Sequence, residues 1–192
     1  MTHVSSGYVR GRVQLYRVAD GAWTATSKVV NNSILYEWSA ILAQLLLPGD
    51  ARYRISGMYF EFENVENPGD TVTPPAFDRT RTLAYYNNLS SSASRDYLRV
   101  PLTSFLLNSS GAGHTNDLLT IFATSSGSVG VHGKPFSHVD NSVIYGASLV
   151  AIPDVGDRTK DLLFSSMYLP TNEQQAKLAS SQVGLKWDLT LG

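Results

Sequence analysis

The alternation of apolar and polar residues along several short stretches constrains the fold of this chain more than any other feature. In "VGLKWDLTL" (183–191) every second residue is apolar, and the residues between them are polar or glycine. In "YVRGRVQLYRV" (8–18), Val9, Val13 and Leu15 alternate with Arg10, Arg12 and Gln14. A period of two places alternate side chains on opposite faces of a β-strand that is buried on one side. Comparable segments occur near 21–30, 54–62, 96–107, 116–125, 142–152 and 161–169, so the pattern predicts about eight strands.

The turns and breaks between these segments agree with antiparallel strands. Asp20-Gly21 separates the first two segments and is a strong hairpin dipeptide. Pro101 lies inside the segment at 96–107 and has no backbone N–H to donate to a neighbouring strand. We therefore expect this strand to lie at an edge or to carry a bulge at Pro101.

One segment has a helical rather than a strand-like period. Ile34, Trp38, Ile41 and Leu45 recur at spacings of three and four, and Pro48-Gly49 ends the pattern. The pattern predicts a single apolar helix at about 33–47, capped by Asn31, Asn32 or Ser33. So few of its residues are polar that we expect most of its surface to be covered.

Strands that do not alternate regularly with helices argue against a parallel sheet. The prediction is a mainly β protein, an antiparallel β-sandwich of jelly-roll type with the one helix packed on it or capping it. The length of 192 residues favours a single domain, 1–192, with an unusually long loop at 63–96.

Composition excludes several classes of function. The chain has no cysteine, a net charge of −1 and no run of Lys or Arg, which argues against thiol chemistry and against nucleic-acid binding. No stretch is long and apolar enough to span a membrane, and the first residues do not have the build of a signal peptide. Only 16% of the residues are charged, which indicates a surface partly covered by other subunits.

Neither a catalytic nor a metal-binding motif is evident. His132, His138 and Asp140 share one loop without the spacing of a zinc site. Two acidic loops lack the ligand order of a calcium loop: Glu61, Glu63, Glu66 and Asp70 in one, Asp154, Asp157 and Asp161 in the other. Glu61 and Glu63 share a strand face, as a glycosidase pair can, but this alone does not predict catalysis. We expect no enzyme activity, no metal and no cofactor.

The segment "RTRTLAYYNNLSSS" is the best candidate for contacts with a partner. Aromatic, Arg and Asn side chains are typical anchors of protein interfaces and also of sugar sites. In a chain with so few charges, a protein interface is favoured, and the candidate residues are Arg79, Arg81, Tyr85, Tyr86, Asn87 and Asn88.

Part of the chain resembles a known class of protein. Three features occur in succession: an apolar helix closed by Pro-Gly-Asp in "VVNNSILYEWSAILAQLLLPGD", the strand "ISGMYFEF", and a loop with a Pro pair in "TVTPPAFDRT". This order resembles that of small β-sandwich virion proteins of tailed bacteriophages. The resemblance covers about residues 28–83 and departs where the strand continues into Glu61-Phe62-Glu63 instead of glycine. It implies a subunit that acts by assembling.

The expected function is thus a non-enzymatic structural subunit of a phage virion, present in several copies at the tail or fibre attachment. Its partners are copies of itself and other virion proteins, and it is made in the host cytoplasm without a signal peptide. A capsid decoration protein is the first alternative. The second is a carbohydrate- or receptor-binding module that contacts a host-surface glycan, with Trp23, Tyr85 and Tyr86 as stacking platforms.

Overall fold

The computed structural model describes residues 9–45, 51–67, 69–89, 95–113, 117–125, 129–130, 142–176 and 182–191. Twelve strands in these ranges form one antiparallel sheet. They are β1 (Val9–Ala19), β2 (Ala22–Ala25), β3 (Val30–Asn31), β4 (Ser33–Ile34), β5 (Ile55–Asn64), β6 (Arg95–Asn108), β7 (Leu118–Thr124), β8 (Val129–Gly130), β9 (Ser142–Ala151), β10 (Leu162–Tyr168), β11 (Gln175–Ala176) and β12 (Gln182–Leu191). Two helices, α1 (Trp38–Leu45) and α2 (Leu83–Leu89), accompany the sheet.

The sheet has the order β2-β1-β12-β7-β6-β5-β9-β10-β4 and curls into a half-barrel. The chain from 30 to 34 joins its two ends, because β3 pairs with β1 while β4 pairs with β10. The mainly β, antiparallel prediction is confirmed at this level. The finer arrangement as a two-sheet sandwich or jelly roll stays a prediction.

The predicted alternation determines which side chains enter the core. On β12, Val183, Leu185, Trp187 and Leu189 are buried in the main core. On β5, Met58, Phe60 and Phe62 belong to the same core, whereas Tyr59 points to the opposite face and joins a second cluster. The two clusters lie on opposite faces of the sheet, as the period of two requires.

Strand β9 is buried on both faces, and all ten of its residues are inaccessible. Ile144, Ala147 and Leu149 lie in the main core, while Val150 belongs to the second cluster with residues of α2. Its sequence, "SVIYGASLVA", accordingly reads as a nearly continuous apolar run, as expected for a doubly covered strand.

Both predicted chain breaks are present. Asp20 and Gly21 join β1 to β2 with positive φ angles of 50° and 77°, the backbone that a tight hairpin turn of this kind requires. Strand β6 leaves its pairing with β5 at Pro101 and continues along β7, with a register shift between Leu102 and Ser104. Pro101 thus marks the point where this strand passes from one half of the sheet to the other.

The predicted helix at 33–47 is too long at its start. The helix begins at Trp38, and Ser33–Ile34 form β4 instead, paired with Ser165 and Ser166 of β10. Sheet pairing here overrides a local helical period, so Asn31, Asn32 and Ser33 do not cap the helix. Residues 46–47 lie outside the described ranges. Helix α1 places Ile41 in the main core, and the Trp38 ring packs edge-on against Phe164 at 6.0 Å.

The predicted loop at 63–96 also differs from the structure. Strand β5 continues to Asn64, α2 occupies Leu83–Leu89, and β6 begins at Arg95. A second helix within this segment was not predicted, because "LAYYNNL" is short and carries no clear apolar period. Tyr86 and Leu89 are its buried residues.

Candidate functional site

The outer face of β5 carries a glutamate in the interior of the protein. Glu61 lies on the same face as Tyr59, two residues before it, and its exposed fraction is 0%. A buried carboxylate is costly unless charged or polar groups compensate it. The groups that surround Glu61 therefore define the candidate site.

Three side chains from the segment that follows β5 surround this carboxylate. The Arg81 guanidinium donates to Oε1 at 3.0 Å, and the Tyr86 hydroxyl donates to the same oxygen at 2.7 Å. The Tyr85 hydroxyl donates to Oε2 at 2.8 Å. Tyr85 and Tyr86 lie in the first turn of α2, and the Tyr86 ring packs edge-on against Tyr59 of β5 at 4.8 Å.

Arg81 is almost as buried as its partner, with 4% of its surface exposed. Its charge lies 3.8 Å from the centre of the Tyr85 ring and 4.7 Å from that of Tyr168, and it donates a hydrogen bond to the Tyr168 hydroxyl. Aromatic faces stabilise a cation that has lost its water. The Phe77 ring lies further away, at 5.8 Å, so the guanidinium is held by one carboxylate and three rings.

The hydrogen bonds extend from this pair across the sheet. The Tyr86 hydroxyl also contacts the Ser148 hydroxyl on β9, which in turn contacts Ser166 on β10. We call Glu61, Arg81, Tyr85, Tyr86, Ser148, Ser166 and Tyr168 the Glu61 cluster. It connects α2 to three neighbouring strands.

The electrostatics of the cluster follow from its burial. Loss of water raises the pKa of Glu61, and the Arg81 charge and the tyrosine hydrogen bonds oppose that rise. Burial is the largest single influence on Arg81 and lowers its pKa, but the Glu61 charge together with Tyr86, Tyr168 and Tyr85 outweighs it, so the pKa lies above its ordinary value. Burial and the nearby carboxylate raise the pKa of Tyr85 and of Tyr86. The cluster thus fastens α2 to the sheet through a buried ion pair whose carboxylate does not reach solvent.

A second buried carboxylate anchors the turn after β9. Asp161 accepts two hydrogen bonds of 2.7 Å from Arg99 and one from the Tyr59 hydroxyl. Arg99 also donates to the backbone oxygens of Asp154 and Val155, at 2.9 and 2.6 Å. These bonds hold the chain from 154 to 161 against β5 and β6.

Three consecutive large apolar residues are exposed on the second half of β6. Phe105, Leu106 and Leu107 are 68%, 54% and 55% exposed. Consecutive residues of a strand point to opposite faces, so this part of β6 is uncovered on both faces. Pairing with β5 ends at Pro101, and in the described ranges β7 is the one strand beside residues 103–108. We call residues 103–108 the open β6 edge.

The six residues predicted to contact a partner are divided between interior and surface. Arg81 and Tyr86 are buried in the Glu61 cluster, and Tyr85 is half-buried there. Arg79, Asn87 and Asn88 are exposed. A partner interface formed by these six residues stays a prediction, but the structure gives three of them an intramolecular role. The available signal was Glu61 between Phe60 and Phe62, because a carboxylate within an apolar strand needs a buried cation.

The other residues considered in the sequence are spread over the molecule. His132, His138 and Asp140 lie outside the described residues. Glu63 pairs with Arg95 at 2.7 Å, and Asp154 and Asp157 both pair with Lys160, at 3.0 and 3.3 Å. In the part of the chain that the structure describes, no three His, Asp or Glu side chains are grouped closely enough to hold a metal ion.

Comparisons with protein-family models, with curated proteins and with solved structures find no match to this chain. The resemblance to virion proteins therefore stays a prediction. Neither helix in the described ranges has the length and apolar character needed to cross a membrane.

Proposed function

We propose that this protein is a non-enzymatic structural subunit that assembles in several copies through the open β6 edge. The setting implied by the sequence resemblance is the virion of a tailed bacteriophage, at the tail or fibre attachment. The single observation that carries the proposal is the exposure of Phe105, Leu106 and Leu107 on a strand edge that lacks a neighbour in the described chain.

An edge strand offers a row of unpaired backbone N–H and C=O groups to another strand. Soluble proteins commonly protect such edges with charged side chains, proline or a bulge. The bulge of β6 lies before the exposed residues, between Leu102 and Ser104. No Asp, Glu, Lys or Arg occurs between Arg99 and Asp117. The open β6 edge is therefore unprotected against pairing.

A second copy of the same chain is the occupant that fits this edge. Two identical strands related by a two-fold axis pair antiparallel, so each copy satisfies the backbone groups of the other. The uncharged sequence removes the electrostatic repulsion that two identical edges otherwise experience. The exposed side chains of the two copies would then lie beside each other on each face of the joined sheet and partly shield one another.

Sedimentation-velocity measurements over a range of protein concentrations test this interface. The variant Phe105→Lys/Leu107→Lys brings like charges together at the interface and should raise the dissociation constant for self-association by about tenfold or more. The matched control is Val155→Lys, because Val155 is also an exposed apolar residue, 79% accessible, but lies in a turn. A parent protein that is monomeric at all concentrations, or a control that dissociates equally, contradicts the proposal.

The virion setting needs a separate experiment. Quantitative proteomics of purified particles should find the chain, with a low copy number for a tail or fibre position and hundreds of copies for capsid decoration. Its absence from particles would refute the virion setting while leaving the self-association result intact.

The carbohydrate-binding alternative has less support from the site geometry. Tyr86 is buried, and the Arg81 guanidinium lies 3.8 Å from the centre of the Tyr85 ring, which occupies one face of that ring. Trp23 packs edge-on against Tyr16 and Phe122 at 5.6 and 5.7 Å. All three candidate rings thus pack against side chains of the same chain, whereas Phe105, Leu106 and Leu107 on the open β6 edge are exposed.

A further inference from the structure

A pocket of about 640 Å³ lies where the two ends of the sheet approach each other. Its walls come from the first residues of β1, from the chain at 31–34 that joins β1 to β10, and from Arg79 in the segment before α2. Thr190 of β12 also lines it, so four parts of the chain that are distant in sequence converge on one concave site. It is separate from both the Glu61 cluster and the open β6 edge.

The pocket is lined by three arginines and by no carboxylate. Arg10 and Arg12 come from β1, and Arg79 completes the set. All three are exposed. Within the described residues, the side chains of Arg12 and Arg79 form no ion pair or hydrogen bond. These two guanidiniums are therefore available to a ligand.

The nearest acidic residue in the strand register is already occupied. Asp188 on β12 lies opposite Arg12, but its carboxylate accepts a hydrogen bond of 2.7 Å from Thr120 and pairs with Lys186 at 3.1 Å. The Asp188 charge is thus partly compensated without Arg12.

The neutral part of the lining is rich in hydrogen-bonding groups and is held in place. Asn31, Ser33 and Thr190 contribute polar side chains to it. The Asn32 amide bonds to Ser165 and lies directly over Gly11, where an added Cβ would come within 2.0 Å of Asn32 Oδ1. The backbone oxygen of Arg79 accepts a hydrogen bond of 3.1 Å from the Tyr36 amide, which fixes the position of the third arginine's backbone.

We infer that this pocket binds the terminal phosphate or sulfate group of a small molecule. Guanidiniums donate paired hydrogen bonds that match a tetrahedral oxyanion, and the two available ones, Arg12 and Arg79, balance a group with several oxygens and two negative charges better than they balance a single carboxylate. The pocket is larger than the ion alone, so it has room for an attached group. A nucleic-acid backbone fits less well, because the charge is concentrated in one concavity instead of following an extended stripe.

An amide NMR titration of the full chain with inorganic phosphate, and separately with sulfate, tests the site. Sodium chloride at the same ionic strength is the reference, because general screening must be subtracted. Saturable shifts are expected at Arg10, Arg12, Asn31, Ser33 and Arg79. Equal shifts with chloride would overturn the inference.

Variants locate the site. Arg12→Gln/Arg79→Gln should weaken phosphate binding by about tenfold or more, because two charge-assisted contacts are lost. The matched control, Arg17→Gln, removes an exposed arginine from the same strand outside the pocket and should bind as the parent does. Equal affinity in the double variant and in the control refutes the assignment.

Two further measurements test whether the planar guanidinium matters and whether the bound phosphate belongs to a small molecule or to a nucleic acid. Arg12→Lys/Arg79→Lys keeps both charges but loses the planar fork, so intermediate affinity is expected, and parental affinity would refute the role of fork geometry. A short single-stranded oligonucleotide should bind no more tightly than phosphate does. Tighter binding that depends on the same arginines would overturn the assignment to a small-molecule phosphate.

Discussion

Replacement of Arg81 by methionine tests whether the Glu61 cluster stabilises the fold as the geometry indicates. The substitution preserves much of the side-chain volume but leaves Glu61, which is 0% exposed, without its cation. Removal of one partner of a buried ion pair typically costs about 3–5 kcal/mol. With a urea dependence of about 2 kcal/mol per molar, the unfolding midpoint should fall by about 2 M. Circular dichroism during urea titration measures this shift.

The pH dependence of that loss provides the sharper test. Burial raises the pKa of Glu61 above its ordinary value of 4.5, and Arg81 is the group that opposes this rise most strongly. In the variant, the folded protein binds a proton at Glu61 more readily than the unfolded chain does. The stability of the variant should therefore be greatest below the unfolded pKa and decline as the pH rises through the folded pKa. The difference from the parent should thus be smaller in acid than at neutral pH.

Two comparisons define the outcome that would refute the reasoning. Arg95→Met removes the partner of Glu63, in an ion pair with side chains 28% and 21% exposed, and should cost about 1 kcal/mol or less. The double variant Glu61→Gln/Arg81→Met should lose about 2 kcal/mol less than the sum of its single variants, because the unpaired buried charge is gone. An Arg81→Met loss no larger than that of Arg95→Met, with no dependence on pH, would show that the pair is not a buried anchor.

Two further predictions concern the core and the tyrosines. Ile41→Ala should lower the free energy of unfolding by about 2–5 kcal/mol, because Ile41 is fully buried in the main core. The control Ala43→Ser, on the exposed face of the same helix, should leave the free energy of unfolding near the parental value. Thermal or urea unfolding of both variants measures the difference. Burial raises the pKa of six tyrosines above the ordinary 10.0: Tyr59, Tyr85, Tyr86, Tyr97, Tyr145 and Tyr168. The free energy of unfolding should therefore fall as the pH rises above about 10. Phenolate absorbance from these tyrosines should appear together with unfolding. Ionisation of all ten tyrosines before any loss of structure would contradict the second prediction.

The parts of the fold that could be predicted from sequence are those in which local chemistry decides the structure. The period of two in "VGLKWDLTL" determines which residues of β12 are buried, whatever its neighbours are. Asp20-Gly21 adopts the turn conformation its residue types favour, and Pro101 marks the break in β6 because it lacks an N–H. Such features need no knowledge of distant contacts.

The features that could not be predicted depend on contacts between distant parts of the chain. Ser33 and Ile34 follow a helical period, yet they form a strand because Ser165 and Ser166 lie beside them in the fold. The sequence also does not reveal the role of Glu61, because the groups around it are far apart in the chain. Arg81, which pairs with Glu61, is 20 residues away, and Tyr168, which bonds to Arg81, is 87 residues beyond Arg81. The sequence pattern groups Arg81, Tyr85 and Tyr86 as candidate anchors, but only the folded sheet brings Glu61 within hydrogen-bond distance of all three.

The long segment at 63–96 is ordered largely by contacts within the chain. Ordering a long loop costs about 1–2 kcal/mol per residue in backbone entropy, so the ordered part of this segment needs contacts that compensate. Within the described ranges the chain supplies compensation itself. Val72 is buried beside Val143 and Tyr145, and both its N–H and its C=O bond to the Gln174 side chain at 2.7 Å, while Arg81 and α2 are held by Glu61. The long segment therefore does not require a partner to explain its order. Among the described residues, the exposed apolar side chains of the open β6 edge are the feature on which the proposed self-association rests.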